Sequence, residues 1–180
     1  MVFTLWNLIE SVWIILPAYA ANGFAPLARG KRRVDFGRKF IDGRPLLGRG
    51  KTWEGLVLSL FAATVVGTIE QLAFPYLPFD QSPILLTIAP MSAYLGFVLG
   101  LGAMLGDMAG SFLKRRLKLP PGSPAPILDQ DDFIVGALGL AALVTFVKLE
   151  WFLLLMTITP VIHVTANYIA FRLRVKNTRW

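Results

Sequence analysis

Apolar runs long enough to cross a bilayer dominate this chain and leave few folds open to it. Five are readable, near Leu5 to Ala28, Leu56 to Phe74, Ile84 to Leu105, Phe133 to Val147 and Trp151 to Ala170. Roughly 20 consecutive apolar residues span a hydrocarbon core as a helix. Only helices and closed barrels satisfy their backbone groups where there is no water. With 55% hydrophobic and 16% charged residues in 180, the composition argues against an ordinary soluble domain. The expected fold is therefore all-α: a polytopic membrane protein of five transmembrane helices, forming one membrane domain over residues 1–180. The fourth run is short, and it needs either a thinned or tilted local arrangement or an interfacial Gly122 to Asp132 segment.

The first run reads as a retained span rather than the apolar part of a signal peptide. No cationic start precedes it, it is too long, and its basic cluster follows it.

Cationic loops stay cytoplasmic. Between the first two runs lie Arg29, Lys31, Arg32, Arg33, Arg38, Lys39, Arg44, Arg49 and Lys51, against Asp35 and Asp42. The next connection has no cation and only Asp80, so it reads as external. The third carries Lys114, Arg115, Arg116 and Lys118, and the tail Arg172, Arg174, Lys176 and Arg179. Five spans with the amino terminus outside and the carboxyl terminus inside satisfy every loop; an even number would misplace one basic segment. The net charge of +7 thus gathers on one membrane face, where anionic headgroups or a polyanionic solute would meet it. The absence of cysteine excludes disulfides, thiolate metal sites and thiol nucleophiles.

Two cytoplasmic loops hold the residues capable of chemistry. In the first, Gly43 to Gly55 reads GRPLLGRGKTWEG. Its glycines let backbone approach phosphate oxygens, with Lys51 and Thr52 alongside. It is not a P-loop, because Pro45 stands where that pattern needs glycine and no strand precedes it. A basic loop held to headgroups by charge alone is the competing reading. The second loop follows the third run. If that helix continues through Leu117, then Asp107, Ser111, Lys114 or Arg115, and Lys118 fall on one stripe. Ionisable groups at membrane depth need partners or a wet cavity. An interfacial ion pair with snorkelling cations would explain those residues, but not the three further carboxylates, Asp129, Asp131 and Asp132, beyond the Pro/Gly-rich turn. Oxygen donors in that number suit Mg²⁺, which prefers carboxylates, water and phosphate. Acids beside bases suggest a site for a metal–polyphosphate complex.

His163 reads as a hydrogen-bonded interior residue rather than a catalyst. Glu10 and Glu70 have no partner legible in the sequence. Trp6, Trp13, Trp53, Trp151 and Trp180 fall mostly near span ends, as interfacial anchors do.

The pattern Gly106-Asp107-x-x-x-Ser111-Phe112-x-Lys114-Arg115-Arg116, then a Pro/Gly-rich stretch and Asp129-x-x-Asp132, resembles the signature of membrane CTP-dependent cytidylyltransferases. The archaeal members that make CDP-archaeol are the nearest, and Gly43-x-Pro45-x-x-Gly48-x-Gly50-Lys51-Thr52-x-x-Gly55 is similar to their other cytoplasmic hallmark. Bacterial phosphatidate cytidylyltransferases have more spans and a His-Gly-Gly segment before the acidic pair; Ser123 to Leu128 has no histidine here. The resemblance implies a Mg²⁺-dependent transferase in phospholipid biosynthesis. Its partners would be CTP, an isoprenoid-ether glycerol phosphate and the bilayer, with no nucleic acid. It would be an integral cell-membrane protein with its active site on the cytoplasmic side. It further implies Asp107, Asp129 and Asp132 at the metal, with Asp107, Lys114, Arg115 and Asp132 catalytic. Lys114, Arg115, Lys51 and the amides of Gly48 and Gly50 would contact phosphates, Ser111 and Thr52 would donate hydrogen bonds, and Pro45, Leu46 and Leu47 would offer backbone to cytosine. A small transporter or channel for an anionic solute is the opposing class. A membrane adaptor is the third, and it leaves the three aspartates unexplained.

Overall fold

The structure is a computed structural model that describes residues 4–77, 90–120, 125 and 128–172, with the side chains of His163, Ala166, Asn167 and Ala170 left aside. The expectations for Asp80, for Ile84 to Ala89, for the His163 side chain and for the tail beyond Arg172 lie outside the described residues.

Among the described residues five helices make the fold: α1 Leu5–Phe24, α2 Trp53–Ala73, α3 Ala93–Arg116, α4 Leu128–Ala141 and α5 Leu149–Arg172. Each of the first three starts on a hydroxyl that caps an otherwise unpaired amide. Thr4 accepts from the Asn7 amide in a reciprocal capping box, Thr52 from Gly55 and Ser92 from Leu95. Leu5–Ala28, Trp53–Tyr76 and Ala93–Arg116 are long and apolar enough to cross a membrane, and Leu149–Ile162 is a shorter apolar stretch within α5. The first of these includes a 3₁₀ turn, Ala25–Ala28, that follows α1.

Two of the expected boundaries differ. Among the described residues α3 begins at Ala93 and runs unbroken to Arg116, so Asp107 sits within a helix and not at its end. The fourth helix starts at Leu128, earlier than the apolar run, and stops at Ala141, leaving Leu143 to Val147 outside it. Its 14 residues rise only about 21 Å at 1.5 Å per residue, short of a core of about 30 Å. The acidic residues therefore form its first turns, where carboxylates complement the exposed amides of a helix start.

Helix α3 is the centre of the bundle and touches α1, α2 and α4, while α5 lies against α1 and α4. The α3–α4 seam is the closest. A Cβ at Gly102 would overlap the Gly136 carbonyl oxygen, and one at Gly106 would overlap the Asp132 carbonyl. Only glycine permits that approach, as expected where helices associate through backbone-to-backbone packing. Around the seam, Ile14, Ile15, Leu99, Phe133, Ile134, Trp151 and Leu155 are essentially fully buried.

Polar contacts fix the remaining helices. Ser59 on α2 donates to the Ala21 carbonyl of α1 at 2.7 Å. Tyr19 and Thr159 hydrogen-bond at 2.6 Å, joining α1 to α5. Glu10, which sequence reading left without a partner, accepts from Lys148 Nζ at 2.6 Å and Trp151 Nε1 at 2.9 Å. A carboxylate buried in a membrane helix is thus held by a cation and an indole donor. Glu70 is buried as well, and neither of its oxygens has a hydrogen-bond partner among the described residues.

Candidate active site

The loop between α1 and α2 is folded, although the sequence offers it no strand or helix. Its ends pair: Val34 N donates to the Lys51 carbonyl at 2.9 Å and Trp53 N to the Arg32 carbonyl at 2.9 Å. Inside, Phe40 N donates to Arg44 O at 2.8 Å and Leu46 N to Arg38 O at 3.0 Å, closing a small hairpin. Its turn needs Gly43 at φ 75°, a left-handed conformation that glycine adopts without penalty.

Asp35 organises this loop. One carboxylate oxygen accepts from the Gly37 amide at 2.9 Å, and the other from Leu47 at 3.0 Å and Gly48 at 3.2 Å. Burial works to raise the Asp35 carboxyl, but those amides and the nearby Arg33 outweigh it and hold it below the usual carboxylate range. In the sequence Asp35 reads only as a counter-charge. An acid among basic residues carries no local mark of such a role; the signal was that glycines lie at its hydrogen-bonding distance in the folded loop, not in the chain.

The loop is fastened to the end of α3. Arg44 donates to the Arg116 carbonyl at 3.0 Å, taking up one of the carbonyls that a helix terminus leaves unpaired. In return Arg116 donates to Pro45 O at 2.7 Å, pairs with Asp42 at 3.1 Å, and lies over the rings of Phe40 and Phe112 at 4.8 and 4.7 Å. Those rings meet edge to face at 5.2 Å.

This arrangement brings the loop's Lys51 to α3, where its ammonium bonds the Asp107 carboxylate. Farther along α3, Lys114 bonds Asp129 of α4, whose other oxygen accepts from the Ala125 amide at 2.9 Å. Asp132 lies across α3 at Gly110, where any Cβ would overlap its carboxylate. It is close enough to Asp107 for their charges to repel, and Lys114 and Lys51 act on it with the opposite sign. One of its oxygens, Oδ2, is buried with no hydrogen-bond partner among the described residues. Three acids and two lysines from the loop, α3 and α4 therefore line one rim of the bundle.

A cavity of about 380 Å³ opens beside them, lined by Asn22, Arg29, Arg49, Gly50, Lys51 and Asp107 among others. Gly50 and Lys51, expected at phosphate, line it together with Asn22, Arg29 and Arg49, to which no role was given. Thr52 also lines it, with its oxygen engaged in capping α2. Ser111 is buried one turn beyond Asp107.

Other candidates sit elsewhere or are already engaged. The Gly48 and Leu47 amides are taken by Asp35, the Leu46 amide by Arg38 and the Pro45 carbonyl by Arg116. Arg115 is buried and donates to the Leu119 carbonyl, closing the end of α3. Asp131 is buried, with one oxygen lacking a hydrogen-bond partner among the described residues. No group of three or more acidic or histidine side chains with metal-ligating proximity occurs among the described residues, so Asp107, Asp129 and Asp132 are not gathered as a triad. Asp107 and Asp132 are close enough to repel, and the orphaned oxygen of Asp132 gives the pair the hard-oxygen character that Mg²⁺ takes. The pair fits a metal whose remaining ligands are water and phosphate.

Comparison with known proteins points the same way. Residues 4–180 match the CarS-like, CDP-archaeol synthase family model. The chain is 39% identical to the CDP-archaeol synthase of Pyrococcus furiosus over 96% of this chain and 98% of that one. It is 39% identical to that of Methanocaldococcus jannaschii over 96% and 97%, and 42% identical to that of Pyrococcus abyssi over 95% and 97%. A solved structure of an intramembrane enzyme for archaeal membrane lipid biosynthesis superposes with a TM-score of 0.76 at 36% identity, covering 88% of this chain and 93% of that one. With its apolar helices, its convergent acid–lysine rim and this full-length likeness, the chain is an integral membrane nucleotidyltransferase of the CDP-archaeol synthase family.

Proposed function

We propose that the protein transfers CMP from CTP to an isoprenoid-ether glycerol phosphate, giving unsaturated CDP-archaeol and pyrophosphate, at the rim formed by Asp107, Asp132, Lys51 and Lys114. The observation that carries this reading is the meeting of Lys51 from the folded loop with Asp107 and Asp132 from the α3–α4 seam, beside a cavity with Arg29 and Arg49 on its wall. The whole chain serves as one catalytic unit. Five spans, with the amino terminus outside, place this rim on the cytoplasmic face, where CTP is available.

The chemistry asks little of a general base. The attacking group is a phosphate monoester, anionic at neutral pH, and the α-phosphorus of CTP is the electrophile. An oxygen of the lipid phosphate forms the new P–O bond as the bond to the pyrophosphate leaving group breaks. The obstacle is charge: at an effective dielectric near 20, two unit charges about 4 Å apart repel by roughly 4 kcal/mol. Positioning and charge stabilisation are therefore the protein's main contributions. Lys51 and Lys114, bound to aspartates in the resting structure, exchange those partners for phosphate oxygens when substrates enter. Arg29 and Arg49 hold the outer phosphates, and Asn22 offers the cavity a neutral donor and acceptor. Asp107 and Asp132 would hold Mg²⁺, which when bound screens the triphosphate and activates its α-phosphorus toward attack. Lipid tails stay among the helices while the phosphate reaches Asp107, because that residue sits at the polar edge of an apolar helix.

The test is to incubate purified protein with labelled CTP, Mg²⁺ and an isoprenoid glycerol phosphate. A lipid-linked CMP and stoichiometric pyrophosphate are expected. No product with any such acceptor would refute the reading.

A further inference from the structure

A second basic site lies on the outer side of the same loop. It is a groove of about 690 Å³ lined by Lys31, Arg32, Arg33, Phe36, Gly37 and Trp53, and it shares no lining residue with the reaction cavity. From it, we infer that the protein binds the phosphodiester headgroup of an anionic phospholipid from the surrounding bilayer, in addition to its substrates.

Three observations carry this. First, the groove has cationic charge to spare. Arg32 pairs with Glu54 at 3.0 Å, but the side chains of Lys31 and Arg33 make no hydrogen bond or ion pair with the described residues. The one carboxylate near Arg33, Asp35, is already engaged by three amides. Second, the groove wall is aromatic and exposed. Phe36 is 74% exposed and held at a left-handed φ of 51°, and its ring meets that of Trp53 at 6.4 Å. A left-handed backbone disfavours a bulky residue, so its outward display is not the default of a relaxed loop. Third, Trp53 begins an exposed apolar stripe on α2 that continues through Val57 and Phe61, at 65% and 66% exposure. Residues four apart lie on one face of a helix, and an exposed apolar face on a spanning helix is lipid-facing.

The cationic groove therefore caps a lipid-facing stripe at its polar end. A lipid satisfies both parts at once, its phosphate against Lys31 and Arg33 and an acyl or isoprenoid chain along Trp53, Val57 and Phe61. A soluble polyanion would use only the first. Juxtamembrane cations gain from anionic headgroups in this way, and aromatic side chains settle at headgroup level.

The test uses the full-length protein in detergent, with lipid retention read by native mass spectrometry. Added phosphatidylglycerol should be retained and phosphatidylcholine should not, and retention should weaken as salt rises, because the contact is partly exposed. The double substitution Lys31→Gln, Arg33→Gln should lower phosphatidylglycerol retention on the order of tenfold with the melting temperature unchanged. Equal retention of the two lipids, or salt-independent retention by the wild-type protein, would overturn the inference even if the double variant failed to fold. Retention restricted to a phosphate monoester lipid would also overturn it, because the groove would then belong to the acceptor. Since Lys31 lies outside the reaction cavity and does not act on Asp35, transfer activity in detergent should survive Lys31→Gln alone, which separates this site from the catalytic one.

Discussion

Asp132 and Asp35 illustrate how differently two acids of one chain can act. Asp132 has a buried, unpartnered oxygen against Gly110, within repelling distance of the Asp107 charge, a costly arrangement unless a cation completes it. Asp132→Asn should lower kcat by about 10²- to 10³-fold, the loss typical of removing one charge-stabilising group, while circular dichroism stays unchanged; near-normal turnover would remove it from the site. Asp35 works through the loop. Its carboxyl is held low when folded, so its contribution is complete above the ordinary carboxylate value of about 4 and is lost as pH falls through the lowered folded value. Protease cleavage of the loop should accordingly rise at acid pH in the wild type. Asp35→Asn should raise cleavage at neutral pH and raise KM for CTP more than it lowers kcat, since buried amides left without their acceptor cost about 1–3 kcal/mol. Asp107, Asp132, Lys51 and Lys114 stand out in the sequence because charge beside a long apolar run demands a reason, and the fold brings them to one rim. The engagement of Gly48 by Asp35 and the inward turn of Arg115 were not, since both depend on contacts made only when the loop and the helix end close.

Among the elements, the α3–α4 seam positions the two acids relative to each other. A methyl at Gly136 would overlap the Gly102 carbonyl, and the helices would have to part. Gly136→Ala should destabilise the fold by about 1–3 kcal/mol, as overpacking does, and should lower activity beyond what the loss of folded protein explains; a melting temperature at or above the wild-type value would contradict this seam. Existence of the apolar helices followed directly from hydropathy. Their ends did not, because hydropathy reports the solvent and not the cap: Ser92 and the acidic turns at Asp129 to Asp132 set the observed starts of α3 and α4. The fold of the first loop was the least legible element. Its order comes from one carboxylate, paired ends and the Arg44–Arg116 exchange with α3, and none of these has a periodic signature.

At the scale of the molecule, the proposed topology puts the proposed catalytic rim on the cytoplasmic face. Because the chain has no cysteine, single introduced cysteines report sidedness without background. In sealed cells, Tyr76→Cys should react with a membrane-impermeant maleimide, and Lys39→Cys should react only after permeabilisation; the reverse pattern would invert the orientation. The central claim is that one pocket gathers a divalent cation and a cytidine triphosphate between helices α3 and α4 and the basic loop. The most direct measurement is an anomalous-diffraction structure with Mn²⁺ and a non-hydrolysable CTP analogue. The predicted result is a metal peak in contact with Asp107 and Asp132 and a triphosphate against Lys51; a metal peak or nucleotide bound away from those aspartates would contradict it.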